Sequence, residues 1–72
     1  MDALHALNRL ESGCTLLVSL PGSYLSTTFE MTPKGCKRYN TEMGTICTPM
    51  SKGEIFKHFS EMLKEGGEIV EI

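Results

Sequence analysis

The stretch Thr48–Ile72 leaves this chain the fewest choices. Ser51-Lys52-Gly53-Glu54 is a capping box. The Ser51 hydroxyl accepts from the Glu54 backbone N–H, and the Glu54 carboxylate reaches back to the Ser51 N–H. Met50 before the cap and Ile55 after it supply a hydrophobic staple. Ile55, Phe56, Phe59, Met62 and Leu63 then recur at helical spacing. Gly66-Gly67 ends the helix, because glycine accepts the left-handed conformation at a helix terminus. Glu68 to Ile72 reads as a short strand. Such a unit must fold with a sheet against the helix, and none of its residues composes a reaction centre.

Upstream, glycines divide the chain into short elements. Asp2 to Glu11 is predicted as a helix, with Leu4, Leu7 and Leu10 in its apolar stripe and Ala3 and Ala6 alongside. Asp2 caps it, Gly13 ends it, and His5, Asn8, Arg9 and Glu11 take the wet face. Cys14 to Leu20 is predicted as a strand, with Cys14, Leu16, Val18 and Leu20 inward and Thr15, Leu17 and Ser19 outward. Leu17 on the second face suits a central strand. After the turn Pro21-Gly22-Ser23, a second strand runs from Tyr24 to Met31. It places Leu25, Thr27, Phe29 and Met31 in the core and Tyr24, Ser26, Thr28 and Glu30 in water. Thr32-Pro33-Lys34-Gly35 is a β-turn into Cys36–Asn40, whose polar outward residues suit an edge strand. Thr45-Ile46-Cys47 either adds a short strand or leads into the second helix, and Pro49 keeps that segment out of a central position. The expected order is α-β-β-β-(β)-α-β over residues 1–72. It describes one α+β domain, a small antiparallel sheet with two helices on one face.

At 72 residues the chain buries only about 60% of the surface its unfolded form exposes. A partner or a second copy would add what the core lacks. Cys14, Cys36 and Cys47 are odd in number, widely spaced and free of any CxxC pattern. They predict reduced thiols in the cytoplasm rather than a disulfide framework or a zinc site. No secretory leader or lipidation motif is expected, and the longest apolar run, Leu16-Leu17-Val18, is too short to span a membrane.

Charge excludes a strongly basic nucleic-acid binder, since the net value is −2. It is unevenly spread. Residues 32–53 carry Lys34, Lys37, Arg38 and Lys52 against Glu42, whereas residues 54–72 carry five glutamates against Lys57 and Lys64. The cations Lys34, Lys37 and Arg38, beside Tyr39, form a candidate grip for a phosphate backbone, or simply keep an edge strand soluble. Glu61, Glu65 and Glu68, with Glu54 and Glu71, offer a negative surface to a basic groove, or simply a solvated helix face. Catalysis needs a nucleophile beside an oriented base. His5 and His58 are read as exposed helix residues, with His58 placed to pair with Glu54 one turn earlier. No phosphate-binding glycine motif occurs, and no cofactor or metal is expected.

The order α-β-β-β-α over about residues 2–65 resembles the topology of the double-stranded-RNA-binding domain. That family carries clustered lysines at the start of its second helix, where this chain has Met50-Ser51-Lys52-Gly53-Glu54, one lysine followed by an acid. Small RNA-cleaving toxins share the topology but carry a histidine on the sheet, and neither histidine here falls in a strand.

The expectation is therefore a non-catalytic protein-binding module, an inhibitor or adaptor of a larger protein or nucleoprotein complex. Its contacts would be Tyr24 and Leu17 on the open sheet face, the Cys36–Asn40 edge, and the glutamates. Compact proteins of this size that block host complexes are common in phages and mobile elements, so an anti-defence role of the anti-CRISPR kind belongs to this expectation. The alternatives are a nucleic-acid binder using the basic hairpin, and a self-associating subunit pairing Ile69–Ile72 across a two-fold axis.

Overall fold

A computed structural model describes all residues from Met1 to Ile72. The elements are α1 (Ala3–Glu11), β1 (Leu16–Ser19), β2 (Ser26–Thr32), β3 (Gly35–Asn40), β4 (Gly44–Thr48), α2 (Lys52–Lys64) and β5 (Glu68–Glu71). The five strands form one antiparallel sheet in the order β4-β3-β2-β1-β5, and the two helices pack on one of its faces. The α+β class and the element order follow the sequence expectation, with the optional strand present.

Local chemistry sets the helix ends. The Asp2 carboxylate accepts from the His5 N–H at 2.8 Å. Both halves of the capping box form, with Glu54 N–H donating to Ser51 Oγ at 3.2 Å and Ser51 N–H to Glu54 Oε1 at 3.3 Å. Gly66, at φ 89°, closes α2. Its N–H reaches Leu63 O, and the Gly67 N–H reaches Met62 O, the paired bonds of a Schellman ending.

Alternation along the strands builds the core. Leu16, Val18, Phe29, Cys36 and Ile69 point towards the helices and are buried. Ala3, Ala6, Leu7 and Leu10 meet them from α1, and Ile55 and Phe59 from α2. Phe29 and Phe59 touch edge-on with ring centroids 5.3 Å apart. Gly35 is fixed by its neighbour β4, because a Cβ there would run into the Thr48 carbonyl.

Several expectations change. Cys36–Asn40 is not an edge strand, because β4 pairs along all of it from Cys36↔Thr48 to Asn40↔Gly44. The edges are β4 and β5. Leu4 is 58% exposed despite its place in the predicted stripe. Steps of three residues drift by about 60° per step around a helix, so Leu4, Leu7 and Leu10 cannot all face inward. Phe56, one position past the buried Ile55, is also exposed. Leu20 lies beyond β1 and is exposed, whereas Thr28, expected in water, is buried between its cross-strand neighbours Leu17 and Tyr39. His58 is half-buried, its ring tilted against Phe29 at 5.8 Å, and Glu54 is engaged in the cap instead of pairing with it.

Replacing Phe59 with Ala should cost about 3–5 kcal/mol, most of what a chain of this size has to lose. Leu4→Ala, at an exposed position, should stay within about 0.5 kcal/mol. Chemical denaturation of the two variants checks both values.

Candidate functional site

The sheet face away from the helices has no layer over it. The ladder registers place five side chains in one row across it, Val70, Leu17, Thr28, Tyr39 and Thr45. Val70 is 46% exposed, Leu17 and Tyr39 are half-buried, and Thr28 is sealed beneath them. A second row holds Glu30, Lys37 and Cys47, flanked by Thr15 and by Ile72, whose N–H donates to Thr15 O. Tyr24 stands in the β1–β2 loop, 95% exposed. Beside it an open cleft of about 520 Å³ is lined by Tyr24, Ser26, Thr28, Tyr39, Thr41 and Thr45 among others.

Two charges at the middle of this face, Glu30 and Lys37, are already paired. Glu30 accepts from the Tyr39 hydroxyl at 3.3 Å and from Thr15 Oγ1 at 3.5 Å, and Lys37 Nζ lies 3.8 Å from its other oxygen. The same ammonium sits 5.2 Å from the Tyr39 ring centroid. Lys37 and Tyr39 are therefore parts of one neutral polar cluster beside the Leu17–Val70 row. The face is apolar at its centre and hydrogen-bonded around it, the composition that protein partners bury readily.

The basic hairpin does not gather its cations. Lys37 and Arg38 are consecutive on β3, so they point to opposite faces. Arg38 lies on the helix side, where its Nη2 donates to Thr48 Oγ1 at 2.6 Å and its Nε is enclosed without a hydrogen-bond partner. Lys34 stands alone in the exposed turn. A phosphate reaching Lys34 would find one further cation on each side of the sheet, and the outer one held by a carboxylate.

The glutamates also separate. Glu61 and Glu65 are exposed on α2, in the helix layer, and neither forms an ion pair. Glu68 belongs to the open sheet face, by alternation with the buried Ile69. Glu71 lies on the other side of β5 and takes a two-pronged contact from Arg9, at 2.6 and 3.2 Å. Of the predicted contact residues, the structure thus brings Leu17, Lys37, Tyr39 and Glu68 onto one face with Tyr24 at its rim. It leaves Lys34, Arg38, Glu61 and Glu65 elsewhere. Val70, Ile72 and Thr45 were missed as members of the face. The alternation Glu68-Ile69-Val70 carries the signal for Val70, but it becomes legible only once β5 is known to lie beside β1.

The thiols occupy three environments. Cys36 is buried, Cys14 half-buried and Cys47 exposed on β4. No three His, Cys, Asp or Glu side chains gather as a metal-binding group, and no helix is long and apolar enough to cross a membrane.

Burial pushes the Cys36 thiol upward, only partly offset by the charge of Arg38. A thiol reagent should therefore label Cys47 first and reach Cys36 only on unfolding, as timed labelling and peptide mapping will show. The Arg9 hydrogen bonds hold the Glu71 carboxyl below the usual carboxylate range. Because its folded value is lowered, the stabilisation is complete above the ordinary carboxylate range and is lost as pH falls through the folded value. Glu71→Gln should be less stable than the parent at neutral pH, with the difference closing in acid. Urea midpoints at the two pH values measure it.

Comparison with protein-family models, with curated proteins and with solved structures gave no match, so the open face and its chemistry carry the functional reading.

Proposed function

We propose that this chain is a non-catalytic protein-binding module, acting as a small inhibitor or adaptor of a larger protein or protein complex. The observation that carries the reading is the one-sided fold. Two helices cover one sheet face, while the other presents Leu17, Val70, Ile72 and Tyr39 with no layer over them. Burying that row against a partner gains apolar contact at little polar cost, because Glu30, Lys37 and Tyr39 already satisfy one another. Tyr24, fully exposed beside the cleft, is the side chain most ready to anchor a partner, since tyrosine supplies large contact area with few rotatable bonds.

The partner this face suits has an apolar or aromatic patch of its own, ringed by groups that bond to serine and threonine hydroxyls. Glu68 at the β5 side of the face favours a basic residue at that rim of the partner. An inhibitory role, including the anti-defence role expected from the chain's size, is the narrower part of the proposal.

Capture with a tagged chain from nuclease-treated lysate tests it. A stoichiometric protein should be retained after nuclease. Val70→Glu and Tyr24→Ala, both at exposed positions, should reduce its recovery at least about tenfold, the loss expected from a contact worth over about 1.4 kcal/mol. Lys34→Glu should leave it unchanged. Recovery of nucleic acid alone, steeply salt-dependent and abolished by Lys34→Glu, would overturn the proposal in favour of the basic hairpin.

A further inference from the structure

The two edges of the sheet are not alike. At the β5 edge, Glu68 and Glu71 are charged, and the Met1 nitrogen donates to Ile69 O at 3.2 Å. At the other edge, β4 reads Gly44-Thr45-Ile46-Cys47-Thr48, five exposed residues without a charge. Edge strands are ordinarily guarded by lysine, proline, a bulge or a covering segment. The strand β4 has none of these along its length.

Ladder parity shows which backbone groups are open. The Thr32↔Gly35 pair closes the two-residue turn, so alternate residues of β3 bond to β2 and the others to β4. Cys36, Arg38 and Asn40 are the ones that bond to β4, and Thr48, Ile46 and Gly44 answer them. Thr45 and Cys47 consequently turn their N–H and C=O groups to the open edge. The flanking positions of the same parity are closed. The Met43 N–H is already given to Asn40 Oδ1 at 2.7 Å, and Pro49 has no N–H to give.

We propose that β4 is a strand-addition site for a second copy of this chain, giving a two-fold dimer in which the two five-stranded sheets become continuous. The open groups select the second copy and its register. With the axis at Ile46, Thr45 of each chain lies opposite Cys47 of the other, and the two pairs exchange four backbone hydrogen bonds. An axis at Thr45 would set Met43 opposite Cys47 with the Met43 N–H already given away, and an axis at Cys47 would set Thr45 opposite Pro49, which has no N–H, so only the Ile46 register leaves every pair complete. At the axis, Ile46 meets its own copy in the closely spaced, non-hydrogen-bonded kind of pair, with Cα atoms about 4.5 Å apart. Ile46 is 38% exposed in the single chain and loses that exposure in the pair. No like charges meet, because β4 carries none. The guarded β5 edge prevents further addition, so pairing closes at two chains instead of continuing into a fibre. The dimer leaves the Leu17–Val70 face open in both copies and does not depend on the protein-binding reading.

Sedimentation of the whole chain up to about 1 mM, with amide hydrogen exchange at low and high concentration, tests the proposal. The mass should rise with concentration from 8.0 kDa towards twice that value. Exchange at Thr45 and Cys47 should slow as it does so, while Glu71, whose N–H faces the other edge, stays unchanged. Thr45→Pro removes an outward N–H without touching the ladder to β3, and Ile46→Lys sets like charges on the axis. Both variants should remain monomeric where the parent is dimeric. If Thr45→Pro fails to fold, Ile46→Lys decides alone, since it alters only an exposed side chain. A parent monomeric at about 1 mM, a dimer that survives Ile46→Lys, or protection arising at Glu71 would each overturn the proposal.

Discussion

Phe29 and Phe59 meet edge-on at 5.3 Å, and the layers of this protein are aligned by that contact. Phe29 is on β2, the middle strand of five, and Phe59 lies at the centre of α2. Aromatic pairs in this geometry contribute beyond their buried area. Once Phe29 points to the helices, the period of two decides the rest. Leu16 and Arg38, its partners on β1 and β3, must share its side, and Leu17, Thr28 and Tyr39 must take the other. The open face is thus a consequence of the core, produced by the same alternation that buries Phe29.

Few side chains hold this arrangement. Twelve of the 72 residues are buried, and the fully buried large ones come from every element except β4. Long-range polar contacts assist at the rim. Arg9 clips α1 to β5 through Glu71, and Lys52 reaches Glu11 at 3.7 Å between the two helices. The Lys52 pair is exposed and contributes little, as such pairs usually do. It does mark geometry, because it sets the last residue of α1 beside the first residue of α2.

The parts legible in the sequence were those set by neighbours along the chain. The capping box, the Gly66-Gly67 ending, the turn at Pro33 and the alternation in β1 and β2 all act within a few residues, and they delivered the fold class. What remained hidden depends on residues far apart. No periodicity marks β4, since all five of its residues are exposed, and only pairing with β3 makes it a strand. With β4 only one of two alternatives, β3 looked like an edge. Thr28 looked like a surface threonine because its cover comes from strands on both sides. For the candidate site, nearness in sequence was misleading. Lys34, Lys37 and Arg38 read as one cluster, yet successive strand residues face apart, so the sheet divides them. Tyr24 and Leu17 were legible, but their company of Val70 and Ile72 awaited the placement of β5 beside β1.

That placement also separates local pairing from distant pairing. The four strands β1 to β4 form a meander in which each neighbour follows the last through a short connection, so they can assemble locally. The strand β5 must return past all of them, and Arg9 and Glu71 stand 62 residues apart when they meet. The entropic cost of closing so long a loop grows only slowly with its length, but contacts of high sequence separation slow folding. Without β5, the second side of β1 would itself be a bare edge. The last strand of the chain therefore does more than extend the sheet, since a chain lacking it would present two unguarded edges where the whole chain presents one.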